Sequence, residues 1–140
     1  MRKSIASVCV LLTLAACQSD KPEDQVRKAF ETCRAAVENG DAAAATAPLD
    51  ASFRGPEGMD RATARGFLLG LLRQEKVGAT VLRNDVSVRG HEVFQEVDLL
   101  LTSRGGSLLP NDASHRSFHL RWRKSSGAWR LVELQSIDGR

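Results

Sequence analysis

The chain contains no tyrosine, and its two tryptophans and five phenylalanines make up only 5% of its 140 residues. So small an aromatic content offers few stacking platforms for single-stranded nucleic acid. Charge excludes the same class: the formal net charge is +3, with 20 basic and 17 acidic residues. If Arg2 and Lys3 leave with an N-terminal segment, 18 basic residues face 17 acidic ones, a net of +1. No nucleic-acid footprint is left at that level. Glycine-rich phosphate loops and a Gly-x-Ser-x-Gly elbow are both missing. The three histidines, His91, His115 and His119, lack His-x3-His spacing, and four residues along a strand hold the last two too far apart for one ion. Neither a metal site nor a cofactor is expected. There are no internal repeats. A content of 42% hydrophobic and 26% charged residues fits one ordinary globular domain.

What is present begins with an address. Residues 1–16 combine Arg2 and Lys3 with a short apolar run, Val8 to Ala16, which reads as a signal peptide and is too short to span a bilayer. Leu14-Ala15-Ala16-Cys17 resembles a bacterial lipobox. That resemblance implies cleavage before Cys17, acylation of its thiol and amine with palmitate-type chains, and durable membrane anchoring. Gln18 is not the Asp that retains enterobacterial lipoproteins at the inner membrane. The implied destination is therefore the periplasmic face of the outer membrane, with inner-membrane retention as the other outcome. Residues 17–21 then form a lipidated tether and 22–138 a single domain. Only Cys33 is left as a thiol, so no intramolecular disulfide is expected, and its place on an apolar stripe reads as a small buried hydrophobe.

The first helix is expected to start near Asp20, with Pro22 in its first turn. Val26, Phe30, Cys33 and Val37 form one apolar stripe, and Asn39-Gly40 stops it. Asp41 caps a short second helix, Ala42 to Ala47, ended by Pro48. Residues 50–59 read as a turn or loop. Asp60 caps a third helix whose inner face is Ala64, Phe67, Leu68, Leu71 and Leu72; Gly66 and Gly70 would let it lie close to a neighbour. From Val77 the period becomes two. Strands are expected at 77–83, 85–89, 92–102, 115–124 and 128–137, the first two forming one bent strand in an alternative reading. Turns fall at Gly90-His91, pairing Val88 with Val93, and at 125–127. Residues 103–114 form a longer loop. Helices first and strands after give an α+β fold: N-terminal helices packed on a curved, cone-like antiparallel sheet of four to five strands.

Alternation along the strands sorts the charges. Phe118, Leu120 and Trp122 face one way, His119, Arg121 and Arg123 the other. A register with Asp98 opposite Arg121 and Glu96 opposite Arg123 makes every inner pair apolar and turns the basic cluster into an ion-pair ladder rather than an anion site. Two polar residues then stand out. Gln95 falls on the inner face, and Glu133, if it follows Trp129 and Leu131 inward, joins it in an apolar concavity. The opposite placement, Gln95 at a wet sheet end and Glu133 in solvent, stays open. Apolar on both faces, the last strand reads as central or as part of a dimer contact.

The element order, the Glu38-Asn39-Gly40-Asp41 turn and the closing hairpin Arg121-Trp122-Arg123-Lys124-Ser125-Ser126-Gly127-Ala128-Trp129-Arg130-Leu131-Val132 resemble the nuclear transport factor 2-like (SnoaL-like) superfamily over residues 22–138. That resemblance implies a cone-shaped α+β fold. One departure is that the early strand pair is compressed into residues 52–59. The superfamily includes isomerases, dehydratases, ring-oxygenase subunits and non-catalytic binding modules. Its steroid-isomerase-like members use an Asp base with Tyr or acid donors, and no such set carries over to a chain without tyrosine. The leading expectation is a lipid-anchored periplasmic module that binds an envelope protein partner or a small apolar ligand, without catalytic residues. A cone-pocket lyase or isomerase with Glu133 as base and Gln95 as orienter is the alternative. An accessory or immunity lipoprotein acting through 103–114 or the outer sheet face is a third. A homodimer fits any of these, and whether the cone is open or filled stays undecided.

Overall fold

The structure is a computed structural model that describes residues 21–103 and 115–137. The signal segment, Cys17, the Asp20 cap and nearly all of the 103–114 loop lie outside the described residues. Helix α1 runs Pro22–Glu38, with Pro22 where a missing N–H costs nothing and Glu23 and Asp24 at its positive end. Val26 and Phe30 are buried, while Cys33 and Val37 are half-buried along the same stripe. Gly40, at φ +73°, makes the turn that follows. Helix α2, Ala42–Thr46, is capped by Asp41, whose carboxylate accepts from the Ala44 N–H at 3.0 Å. Strand β1, Leu49–Arg54, comes next, then a 3-10 turn at Pro56–Gly58 and helix α3, Arg61–Gln74. The Asp60 carboxylate accepts from the Thr63 N–H at 2.8 Å to start α3. Strands β2 (Val77–Arg89), β3 (Glu92–Ser103), β4 (His115–Ser125) and β5 (Ala128–Ser136) complete the fold.

The five strands form one sheet in the order β1-β5-β4-β3-β2, antiparallel except that β1 runs parallel to β5. Strand β1 corrects the expected loop at 50–59. Only Leu49 and Phe53 are buried along it, so it shows no period-two run; Leu131 of β5 holds it by donating its N–H to the Pro48 carbonyl at 2.9 Å. The hairpin at Gly90-His91 pairs Val88 with Val93 as expected, and Ser126-Gly127, both with positive φ, closes the second. The expected strands 77–83 and 85–89 are one strand, bent by a bulge at Leu82.

The β3–β4 register differs from the expected one by four residues. Phe94, not Asp98, lies opposite Arg121, and Asp98 lies opposite Ser117. An even slip leaves every side chain on its own face, so alternation does not distinguish the two registers. In the observed one Val93 faces Trp122 and Gln95 faces Leu120, and the Trp122 indole N–H donates to the Gln95 carbonyl oxygen at 2.9 Å. Helix α1 crosses the inner face and closes the β2 edge: Arg34 donates to the Ala79 carbonyl at 2.9 Å and the Ala79 N–H donates to Glu38 at 3.1 Å. At Ala79 the open edge is thereby satisfied by side chains rather than left to pair with another chain.

Candidate functional site

The inner face of the sheet is not filled. A cavity of about 390 Å3 lies between it and the helices. Leu99, Leu101, Phe118, Leu120 and Leu134 form its floor, with Trp122 and Leu131 beside them. Phe30, Cys33 and Val37 of α1 make one wall; Ala64, Leu68 and Leu71 of α3 make another. Leu49 and Phe53 of β1 close a third side, and Gly55 leaves room for the Phe53 ring, which would sit 3.1 Å from a Cβ placed there. Leu, Phe and Trp are abundant enough to fill a cone. Three of the lining residues, Ala45, Ala64 and Ala79, are small and take up little of that space, but they come from separate elements.

Among the described residues the lining contains no carboxylate and no histidine. Its charged member, Arg34, is engaged by Glu31, by Glu38 at 2.9 Å and by the Ala79 carbonyl. Those bonds, with Glu31 first, hold the guanidinium protonated and lower the Glu31 carboxyl. Burial pushes the Cys33 thiol up to about 11, so it lines the cavity as a neutral, weakly nucleophilic group. The Thr46 hydroxyl turns back to donate to the Ala42 carbonyl at 2.7 Å. The arrangement can bury apolar surface. It presents no acid or base pair to a reacting atom.

Gln95 and Glu133, expected to share the concavity, are on opposite faces of the sheet. Gln95 is 1% exposed; its amide donates to Asn84 at 2.9 Å and its carbonyl accepts from Trp122, which makes it a satisfied core residue. A bulge in β5 explains Glu133. Leu131 pairs with Trp122, Glu133 with Arg121, and the extra Val132 between them reverses the alternation set by Trp129 and Leu131. Glu133 therefore turns outward and accepts from Arg121 at 3.2 Å.

The outer face carries the ion-pair ladder with partners other than those expected. Arg121 donates to Glu92 at 2.7 Å, and Arg123 reaches the same carboxylate at 3.6 Å. Arg83 bridges Asp98 and Asp85, each at 2.9 Å, and Glu96 at 3.3 Å; His119 meets Glu96 at 2.9 Å. Bonds from Glu92 and then Glu133 hold Arg121 protonated, and Arg83 followed by Ser117 lowers the Asp98 carboxyl. A groove along this face is lined by Arg89, Phe94, Glu96, His119, Arg121 and Glu133, and also by Gln95, whose amide is nevertheless bonded to Asn84 and Trp122. Glu96 there is ion-paired with Arg83 and Arg121 with Glu133, and Arg89 lies over the Phe94 ring. No group of three or more metal-binding side chains occurs among the described residues.

Neither a protein-family model nor any curated protein matches the sequence. Solved structures do match its shape. An NTF2-like protein of Cytophaga hutchinsonii superposes with a TM-score of 0.68 at 13% identity, over 84% of this chain and 98% of that one. The fold is that of the nuclear transport factor 2-like cone. A candidate dehydratase of the NTF2-like family from Streptomyces avermitilis gives 0.68 at 16% identity, over 81% of this chain and 92% of that one. An NTF2-like protein of Novosphingobium aromaticivorans, described as having a cystatin-like fold, gives 0.67 at 15% identity over 84% and 82%. At these identities the likeness establishes the NTF2-like fold, whose members include both binding proteins and enzymes, and leaves function to the residues.

Proposed function

We propose that this chain is a non-catalytic, lipid-anchored envelope protein that holds a small, neutral, apolar ligand in its cone. The observation that carries the ligand is the cavity of about 390 Å3, with apolar walls and its one charged member already paired. That volume lies in the range of roughly 300–1,000 Å3 typical of small-molecule sites. A charged ligand would lose its hydration there without gaining a partner. The absence of a free acid or base among the described lining residues supports binding over the lyase or isomerase reading, and the outward turn of Glu133 removes the base that reading needed. The anchor rests on Leu14-Ala15-Ala16-Cys17, and a periplasm-facing outer-membrane location on Gln18 after it.

Mass spectrometry of the protein recovered from its own membranes tests both parts. The expected result is a chain starting at an acylated Cys17 and, under native conditions, a small-mass adduct. That adduct should be kept on Glu133→Gln and lost on Ala64→Phe, which fills the cavity. An unacylated Cys17 would contradict the anchor. An adduct lost on Glu133→Gln but kept on Ala64→Phe would contradict the cone site.

A further inference from the structure

Helix α3 has a second face that the cavity does not use. No residue of the helix is fully buried; Leu69, away from the cavity, is 43% exposed, and Phe67, at the cavity's edge, is 61% exposed. Between Arg61 and Gln74 it holds three arginines and no acidic residue. Arg61, Arg65 and Arg73 are exposed, and none has an ion-pair or hydrogen-bond partner among the described residues. Arg83, Arg121 and Arg123 on the outer face of the sheet, by contrast, are all paired. Arg65, Leu69 and Arg73, four residues apart, share one line along the helix. Gly66 and Gly70 lie on the exposed side between Leu69 and Phe67. A Cβ at either would meet nothing within 4 Å, so they serve no close approach inside the chain and leave that side flat.

We infer that the outer face of α3 lies on an anionic phospholipid surface, with Leu69 entering the headgroup region and the three arginines meeting phosphates. A helix with an exposed apolar side chain among unneutralised cations has the chemistry of an interfacial helix. Charge complementarity selects this occupant over a second copy of the chain, which would bring an identical basic helix. The expected anchor gives independent support. Only residues 18–21 separate Cys17 from α1, a reach of roughly 14 Å, which keeps the domain against the bilayer. The inference goes beyond the cavity reading, which uses the other side of the same helix.

Hydrogen exchange of the full 140-residue chain carrying Cys17→Ser, measured with and without vesicles, tests it. Vesicles of phosphatidylcholine with phosphatidylglycerol should slow exchange across α3, and phosphatidylcholine alone should not. Replacing Arg61, Arg65 and Arg73 together with Gln should abolish the slowing, and replacing them with Lys should keep it. Each arginine is expected to contribute about fivefold in vesicle affinity of this face. Exchange in α3 that is unchanged while the chain is bound to anionic vesicles would overturn the proposal. Slowing that survives the Gln substitutions would do so as well, as would slowing that appears without vesicles as protein concentration rises, the signature of a second copy.

Discussion

The two faces of one sheet solve opposite problems. The inner face buries Trp122, Val93 and Val97 almost completely and still leaves a cavity beside them. The outer face carries the charges of the same strands in mutually paired sets that water screens. Packing therefore decides the fold on one side, while charge pairing follows on the other. The observed β3–β4 register serves both faces: inside, Val93 lies against Trp122 with Gln95 bonded to its indole, and outside, Arg121 meets Glu92.

That comparison is open to attack by mutation. Trp122→Ala should cost about 3–5 kcal/mol in urea unfolding, since it removes the most buried large side chain. Arg121→Ala, which breaks two outer ion pairs, should cost about 1 kcal/mol or less. Equal losses would erase the distinction between the faces. Gln95→Ala should cost about 1–3 kcal/mol because it strands the Trp122 N–H in the core, several times the effect of Glu133→Ala.

Smaller effects sharpen the picture. With its thiol raised to about 11, Cys33 should react slowly with alkylating reagents at pH 8–9 and speed up only as pH approaches that value. The sign follows from linkage. A thiol that holds its proton more tightly when folded adds stability at neutral pH, and that stability is lost as pH rises from its ordinary value of 9.0 through about 11. Asp98 works in the opposite sense. Its lowered carboxyl contributes above the ordinary carboxylate range, and the contribution fades as pH falls through the depressed value. Asp98→Asn should therefore flatten the acid limb of a stability-against-pH curve slightly, measured by urea midpoints.

Much of this fold was legible because periodicity is a strong signal where elements are long and half-buried. The stripe at Val26 and Phe30, the Asp41 and Asp60 caps and the Val88–Val93 hairpin all follow from it. Three features were not legible, each for a physical reason. Strand β1 has just two buried side chains and is held by its neighbour rather than by its own pattern. The bulge at Val132 is a single extra residue in an apolar run, and it is what turned Glu133 outward. The cavity is lined by side chains from separate elements, which no single stretch of sequence displays. Phe67, placed on the inner face of α3 by its spacing, lines the cavity but stays 61% exposed.

The central claim is that the inner face binds a neutral apolar molecule in its cavity. Titration of the chain with the neutral fluorophore N-phenyl-1-naphthylamine tests it most directly. The account predicts saturable binding at one site, lost in Ala64→Phe and unchanged in Glu133→Gln. Saturable binding that Ala64→Phe leaves intact, or no binding at all, would contradict it.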